Sequence, residues 1–379
     1  MEPFVITVSL FFFTCYTILI IYYRQSWLSI PDFEATRNTQ PRIKISVIIP
    51  ARNEEHNIAK CLDSIIQQSY PPYLFEVLVV DDHSTDNTAK IVPKYLDQNV
   101  RLISLKDFVR ANEINSYKKK AIETAIQQAT GELIVTTDAD CIVSPNWLKN
   151  IAAFYEEKKL AFIAMPVAIM GSNRPIEIFQ SLDFMVLQGI TGASVHRKFH
   201  SMCNGANLAY TKKAFEEVDG FKGIDSIASG DDMLLLHKIF KRHPDGIAYL
   251  KNSDVIVQTE PVKSIAQFFN QRIRWASKAD SYDDKRIFAV LLLVYFFNVW
   301  IMVLGIVGIF FPFVYFFIAL LIAKTIVELI FLFPVARFFN KQGLLWWFPL
   351  AQPFHIVYTI IAGWMGKFGS YKWKERRVN

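Results

Sequence analysis

IKISVIIPARNEE (43–55) opens on a β-branched run and closes on a polar cluster. Val or Ile at five of the eight positions suits a strand covered on both faces, so 43–50 is read as a central strand. Working outward, Asn53 is placed to cap a helix whose apolar stripe is Ile58, Leu62, Ile65 and Ile66. FEVLVV (75–80) is the next strand and ends in Asp81-Asp82; Asp86 can cap a helix to about Leu96. A short strand at 100–104 and a helix at 118–129 follow. ELIVTT (132–137) is a further strand, ending in Asp138-Ala139-Asp140, and Ser144-Pro145 is read as the start of the next helix. This alternation predicts βαβ units: an α/β, Rossmann-like fold with a mostly parallel sheet and flanking helices.

In such sheets ligands bind beyond the carboxyl ends of the strands. Three strands deliver polar clusters there: 50–54, Asp81-Asp82 and 138–140. Asp138 and Asp140 share a face if the backbone is extended. Two hard oxygen donors suit Mg²⁺ or Mn²⁺, which keeps waters and completes its shell from phosphates. No GxxxxGK[ST] loop and no GxGxxG after a strand is present, which argues against a P-loop NTPase and a nicotinamide enzyme. Lys118-Lys119-Lys120 reads either as a diphosphate contact or as a solvated helix face. Asp231-Asp232 in SGDD (229–232) either complements a helix dipole or supplies a general base. QRIRW (271–275) alone fits an interfacial amphipathic helix with a snorkelling Arg and a belt Trp. His196 and His200 lack the Glu of HExxH and are read as ordinary polar residues; no GxSxG elbow is present.

The chain has 379 residues, 52% hydrophobic and 20% charged. The apolar excess is local. Segments 3–23 and 287–323 contain no charged residue, while the stretch between them has ordinary charge density. A bilayer core needs about 20 apolar residues per helix. Residues 1–24 therefore predict an uncleaved anchor stopped by Arg24. Pro312 divides a hairpin at about 288–310 and 313–335. Segment 344–366 is either a third span or re-entrant. Glu2 before the anchor and Arg24 after it place the middle of the chain in the cytoplasm, at the plasma or inner membrane if the source is bacterial. Lys324 and Glu328, four apart, form either an intramembrane polar site or a self-paired bridge at the interface. Net charge is +6, from 41 Lys+Arg against 35 Asp+Glu. No basic stripe marks the middle of the chain, so no nucleic-acid partner is expected. The tail, 367–379, gathers Lys367, Lys372, Lys374, Arg376 and Arg377 against Glu375, which suits anionic lipid. Cys15, Cys61, Cys141 and Cys203 form no CxxC pair and read as reduced thiols. The predicted domains are the anchor at 1–24, a soluble α/β domain at 43–280, a membrane region at 287–366 and the basic tail.

VIIPARNEE (47–55), VVDDHSTDNT (79–88), TTDAD (136–140), SGDD (229–232) and QRIRW (271–275), in this order, resemble the membrane-associated family-2 glycosyltransferases of GT-A fold. Cellulose, chitin and hyaluronan synthases and ceramide glucosyltransferase share much of this pattern. The resemblance covers about 43–280, and CNGANLAYTKKAFEEVDGF (203–221) looks like the family's acceptor-side segment. It implies that Pro50, Arg52 and Glu54 line the nucleotide pocket and that Asp82 contacts the uracil or ribose. Lys118 approaches the diphosphate, although Tyr117 stands where relatives often have Gly. Asp138 sits by the nucleotide sugar, and Asp140 binds the metal. Asp232 is the catalytic base with Asp231 beside it, and Gln271, Arg274 and Trp275 close over donor and acceptor. The implied activity is inverting, Mg²⁺- or Mn²⁺-dependent transfer of a sugar from a nucleotide-diphosphate donor, a UDP-sugar by expectation, to a lipid-linked or glycan acceptor at the membrane. A processive polysaccharide synthase is one alternative. A sugar-phosphate nucleotidyltransferase would want a Gly-rich phosphate loop, and a non-catalytic scaffold or transporter would have lost an acidic motif.

Overall fold

The computed structural model describes residues 2–35, 41–110, 116–171, 174–199, 202–227, 229–278, 284–310, 313–368, 371–373 and 376–378. His200, Pro312, Lys374 and Glu375 lie outside the described residues. The chain forms two compact units. One comprises Ile30–Met170 and Ser201–Glu260; the other comprises Met1–Ser29, Gly171–His200 and Pro261–Asn379.

The first unit is built on a seven-stranded sheet. Its central strand β1 (Ile45–Ala51) has Ile45, Val47, Ile48 and Ile49 wholly buried, as a β-branched strand covered on both faces should. β2 (Phe75–Asp81) and β4 (Leu133–Thr136) flank β1 in parallel, and β3 (Val100–Ser104) pairs in parallel with β2. The sheet then changes direction. β8 (Leu208–Thr211) runs antiparallel to both β4 and β6 (Phe162–Ala164), and β9 (Ile247–Tyr249) closes the edge parallel to β6. A smaller sheet sets β10 (Val257–Thr259) between β5 (Cys141–Ile142) and β7 (Val167–Ile169). Helices α2 (Ile58–Ile66), α4 (Tyr117–Gln128) and α5 (Trp147–Lys158) follow β1, β3 and β5, while α7 (Lys212–Glu217) and α8 (Met233–Arg242) follow β8.

Several helix starts differ from the sequence reading. Asn53 caps nothing: it adopts φ +53°, and its side-chain oxygen accepts from the Thr85 amide at 2.9 Å. α2 begins five residues later, behind Asn57. After Asp86, α3 (Thr88–Ile91) lasts one turn before Pro93, which has no N–H to donate, and the chain tightens to a 3₁₀ helix over Val92–Gln98. Ser144 donates to the Asp254 carbonyl instead of capping, and α5 starts after Asn146.

The second unit is helical. Helices α1 (Glu2–Ser29), α10 (Lys285–Gly308) and α11 (Val314–Phe338), and the segment Gln342–Phe368 that contains α12 (Phe348–Phe368), are long and apolar enough to cross a bilayer. α1 does not stop at Arg24 but continues to Ser29, because Tyr16, Ile20, Tyr23 and Trp27 form one buried stripe that carries past the charge. The unit also contains α6 (Pro175–Arg197), which the sequence reading passed over, and α9 (Ile265–Ala276), which carries QRIRW. Lys324 and Glu328 pair at 2.7 Å within α11, fully enclosed by protein.

Candidate active site at the carboxyl edge of the sheet

Parallel pairing of β1 with β2 and β4 fixes where the polar clusters emerge. In register, Ala51 faces Asp81 and Ile48 faces Thr136, so 50–54, 81–84 and 137–140 leave the same edge of the sheet. The first two loops brace each other. Arg52 Nη1 donates to the carbonyls of Asp82 (2.8 Å) and His83 (3.2 Å) and lies 3.8 Å from Asp82 Oδ1. Glu55 Oε2 accepts from the Asn87 amide at 2.9 Å, and Asp86 Oδ2 accepts from the Glu55 amide at 3.0 Å. Asp82 Oδ1 lies 3.0 Å from His83 Nδ1, whose ring meets Tyr117 edge-on with centroids 5.7 Å apart. Tyr117, where relatives often have Gly, therefore packs directly behind the Asp82 loop. The Glu54 carboxylate accepts from Asn57 Nδ2 at 2.9 Å, and Pro50 sits opposite Val80 in the ladder.

The three consecutive lysines of α4 divide their work. Lys118 Nζ lies 2.7 Å from Asp138 Oδ1 and 3.1 Å from Asp231 Oδ2. Lys119 is buried and donates to the carbonyls of Ile224 and Ile227, holding the loop that leads into SGDD. Lys120 pairs with Glu123 on the outer face. Burial alone would lower the Lys118 pKa. The Asp138 and Asp231 carboxylates outweigh burial and raise it above the ordinary lysine value, so the ammonium stays charged.

Asp232 caps α8. Its Oδ1 accepts from the Met233 amide at 2.7 Å, and its Oδ2 accepts from the Gly205 amide at 3.2 Å. Gly205 lets the two charged side chains come close: a Cβ would stand 3.0 Å from Asp231 Oδ2 and 3.2 Å from Lys118 Nζ, so both ends would have to give by a few tenths of an ångström. Gly230 takes φ +81°, a backbone region open to glycine, and so turns the chain into the acidic pair. Asp138, Asp231, Asp232, Lys118 and Gly205 thus form one cluster with more carboxylate than ammonium. Lys119, read with its neighbours as a diphosphate contact or a solvated face, is neither: it is buried on loop carbonyls. Gly205 and His83 lie inside the quoted segments 203–221 and 79–88, but sequence reasoning gave them no role.

Asp140 leaves the same loop. Its Oδ2 lies 3.4 Å from the Thr259 hydroxyl, and its Oδ1 lies 3.6 Å from Cys141 Sγ. Burial, reinforced by Asp140 and Asp138, pushes the Cys61 and Cys141 thiols up. Among the described residues no three His, Cys, Asp or Glu side chains form a self-sufficient metal cage. This donor set fits a divalent ion that arrives with a diphosphate: carboxylate from the protein, the rest from phosphate and water.

The second unit places QRIRW on α9 without a snorkelling Arg272. Arg272 is buried, with Nε 2.9 Å and Nη2 2.5 Å from Asp183 Oδ2 of α6. Tyr358 of α12 donates to the other oxygen of Asp183. Arg272 Nη1 donates to Gln271 Oε1 at 2.8 Å, and the guanidinium lies 4.3 Å from the Trp275 ring centre and 4.6 Å from that of Phe268. Two of the three singled-out residues, Gln271 and Trp275, are therefore set by a residue to which the sequence reading gave no role.

The chain matches two family models: "Glycosyl transferase family 2" over 46–219 and "Glycosyl transferase family group 2" over 133–365. The second spans more than half of the chain. The protein belongs to the family 2 glycosyltransferases. Among relatives, the poly(ribitol-phosphate) β-N-acetylglucosaminyltransferase TarS of Staphylococcus aureus is 40% identical over 117 residues, 30% of this chain and 19% of that protein. A dolichyl N-acetyl-α-D-glucosaminyl phosphate 3-β-D-2,3-diacetamido-2,3-dideoxy-β-D-glucuronosyltransferase of Methanococcus voltae is 26% identical over 66% of this chain and 77% of that one. The first relatives are matched over only about a fifth to a third of their own length. The mannosyltransferase PcManGT of Pyrobaculum calidifontis, solved with GDP-Man and Mn²⁺, superposes with a TM-score of 0.57 at 22% identity, over 94% of this chain and 98% of that one. That likeness confirms the α/β GT-A fold.

Proposed function

We propose that the protein is an inverting glycosyltransferase moving a sugar from a nucleoside-diphosphate donor, a UDP-sugar, to a lipid-linked acceptor at the membrane. The observation that carries this reading is the Lys118–Asp138–Asp231 cluster, with Asp232 one residue on, at the carboxyl edge of the parallel strands. In this reading Pro50, Arg52, Glu54 and Asp82 hold the nucleoside. Lys118 exchanges a carboxylate for the diphosphate and offsets charge on the leaving group. Asp140 holds Mg²⁺ or Mn²⁺ against the diphosphate, and that ion supplies electrostatic stabilisation of the leaving nucleoside diphosphate.

An acceptor hydroxyl is a poor nucleophile. Asp232 removes its proton as the bond to the anomeric carbon forms. Its two backbone donors fix the carboxylate in place and still leave lone pairs for that proton. One displacement breaks the sugar–phosphate bond from the opposite face, which inverts the anomeric centre. Gln271, Arg274 and Trp275 are assigned to donor and acceptor closure on family resemblance. A lipid-linked acceptor is supported by the four apolar helices and by the dolichyl phosphate-linked substrate in the name of the Methanococcus relative. We place the sheet unit on the cytoplasmic side, from Glu2 and Arg24 flanking the first apolar segment.

Nucleoside-diphosphate release from a panel of UDP- and GDP-sugars, with membrane lipids added, tests the proposal. UDP release that depends on added lipid supports it. Release of GDP alone overturns the donor, and a polymer made by the purified chain overturns single addition.

A further inference from the structure

Within the helical unit, α1 and α11 leave a groove of about 560 Å³ between them, lined by Arg24, Ile326, Leu329, Ile330, Phe333, Pro334 and Arg337. The seam below it is closed by aromatic packing: Tyr23 on Phe331, with centroids 6.2 Å apart, and Trp27 on Phe338, at 5.5 Å. Two features of the groove do not suit bare hydrocarbon. Arg24 Nε is buried and has no hydrogen-bond partner among the described residues. Arg337, in the last turn of α11, adds a second guanidinium, and neither arginine is ion-paired among the described residues.

The remaining wall is a lipid-like ladder. Ile326, Ile330, Phe333 and Arg337 follow the 4-3-4 spacing of one helix face. The three apolar members are about half exposed, at 52%, 49% and 57%. At 1.5 Å per residue, the eleven steps from Ile326 to Arg337 span about 16 Å. That is close to half of a hydrocarbon core about 30 Å thick, the depth of one leaflet. Pro334 also leaves the Ile330 carbonyl without its usual i+4 amide donor, adding one acceptor to the wall.

We infer that this groove is a binding site for one anionic phospholipid of the surrounding bilayer. Its phosphate sits between Arg24 and Arg337, and an acyl chain lies along Ile330 and Ile326. Guanidinium suits this role because its planar fork pairs two phosphate oxygens at once. Charge complementarity selects the occupant: two cations at one end and only apolar side chains along the rest. The site is independent of the sugar-transfer reading and stands or falls separately from it.

The test is lipid retention by the full-length protein. Wild type, Arg337→Gln and Arg24→Gln/Arg337→Gln are reconstituted in equal parts of phosphatidylglycerol and phosphatidylcholine. They are then extracted gently, and bound lipid is read by native mass spectrometry. Wild type is expected to retain phosphatidylglycerol over phosphatidylcholine. Each arginine lost should weaken that retention about tenfold, the equivalent of one charged hydrogen bond of about 1.5 kcal/mol. Arg286→Gln, whose parent side chain is already paired with Asp284, should retain phosphatidylglycerol like wild type. Because Arg337 is exposed, its single variant keeps the test valid if the double variant fails to fold. Equal phosphatidylglycerol retention by wild type and Arg337→Gln overturns the site, as does a wild type indifferent to headgroup charge. Displacement by stoichiometric polyprenyl phosphate would make the groove an acceptor seat and overturn the phospholipid assignment.

Discussion

Two lysines of this protein sit among acids, and they differ in balance. Lys118 faces Asp138 and Asp231, with Asp232 one residue on, and the side chains of Lys118 and Asp138 remain 20% and 36% exposed. Lys324 is wholly buried against one carboxylate, Glu328, at 2.7 Å. Glu328 also accepts from Gln352 Nε2 at 2.5 Å and from the Tyr16 hydroxyl, and Lys324 donates to Gln352 Oε1 at 2.8 Å. The second network is closed: charges match, and donors and acceptors from α1, α11 and α12 meet. The first sets Asp138 and Asp231 about one lysine, with Asp232 beside them, and reaches solvent. A closed network ties helices together; an open, unbalanced one can exchange a partner for a ligand. The Lys324–Glu328 pair, for which the sequence left two readings, is self-paired within a network that joins α1, α11 and α12.

The contrast can be broken in steps. Chelation of divalent ions should act first and most strongly: EDTA abolishes transfer, and Mg²⁺ or Mn²⁺ restores it. Full activity in chelator would remove the role proposed for Asp140. Next, Asp232→Asn should lower transfer by about 10²- to 10⁴-fold, the usual range for a lost general base, while donor affinity measured by calorimetry stays near wild type. Near-normal turnover in the purified variant sinks the assignment. In the closed network, Lys324→Met strands Glu328 and should cost about 3–5 kcal/mol in unfolding free energy. The double change Lys324→Met/Glu328→Leu should recover most of it. If the single variant melts like wild type in detergent, the network does not clamp the bundle.

The smallest effect concerns Glu76, a saturated acid of the sheet unit. Burial would raise its pKa. The hydroxyl of Ser46 (2.7 Å), the amide and hydroxyl of Thr130 (2.6 and 2.7 Å) and the Arg101 guanidinium together hold it below the ordinary carboxylate value. Its stabilising contribution is full above the unfolded-state value and is lost as pH falls through the lower folded-state value. Glu76→Gln should therefore be less stable than wild type at neutral pH, and the difference should shrink in acid. A difference that widens in acid contradicts the assignment.

How much was legible in the sequence follows from the range of each interaction. The β-branched runs at β1 and β2 and the acidic residues behind β2 and β4 are local signals, and they fixed both the sheet and the edge that carries the cluster. Helix starts were misread where a long-range partner captured a capping side chain: Thr85 for Asn53 and Asp254 for Ser144. α6 was missed because Gln180, Asp183 and Gln188 lie buried within it and spoil any simple apolar stripe. Its Asp183 meets Arg272 across 89 positions, a pairing that no periodicity announces. Gly205 was quoted within a motif, yet its purpose, making room beside Asp231 and Lys118, exists only in three dimensions.

The interleaving of the two units has a consequence for biosynthesis. Residues 171–200 belong to the helical unit, yet the chain returns afterwards to supply β8, which lies between β4 and β6. As the chain emerges from the ribosome, the seven-stranded sheet cannot close until α6 has been made. A proteolytic or engineered fragment covering only 30–280 would carry α6 away from its partners α1, α11 and α12. Such a fragment should aggregate unless detergent replaces them.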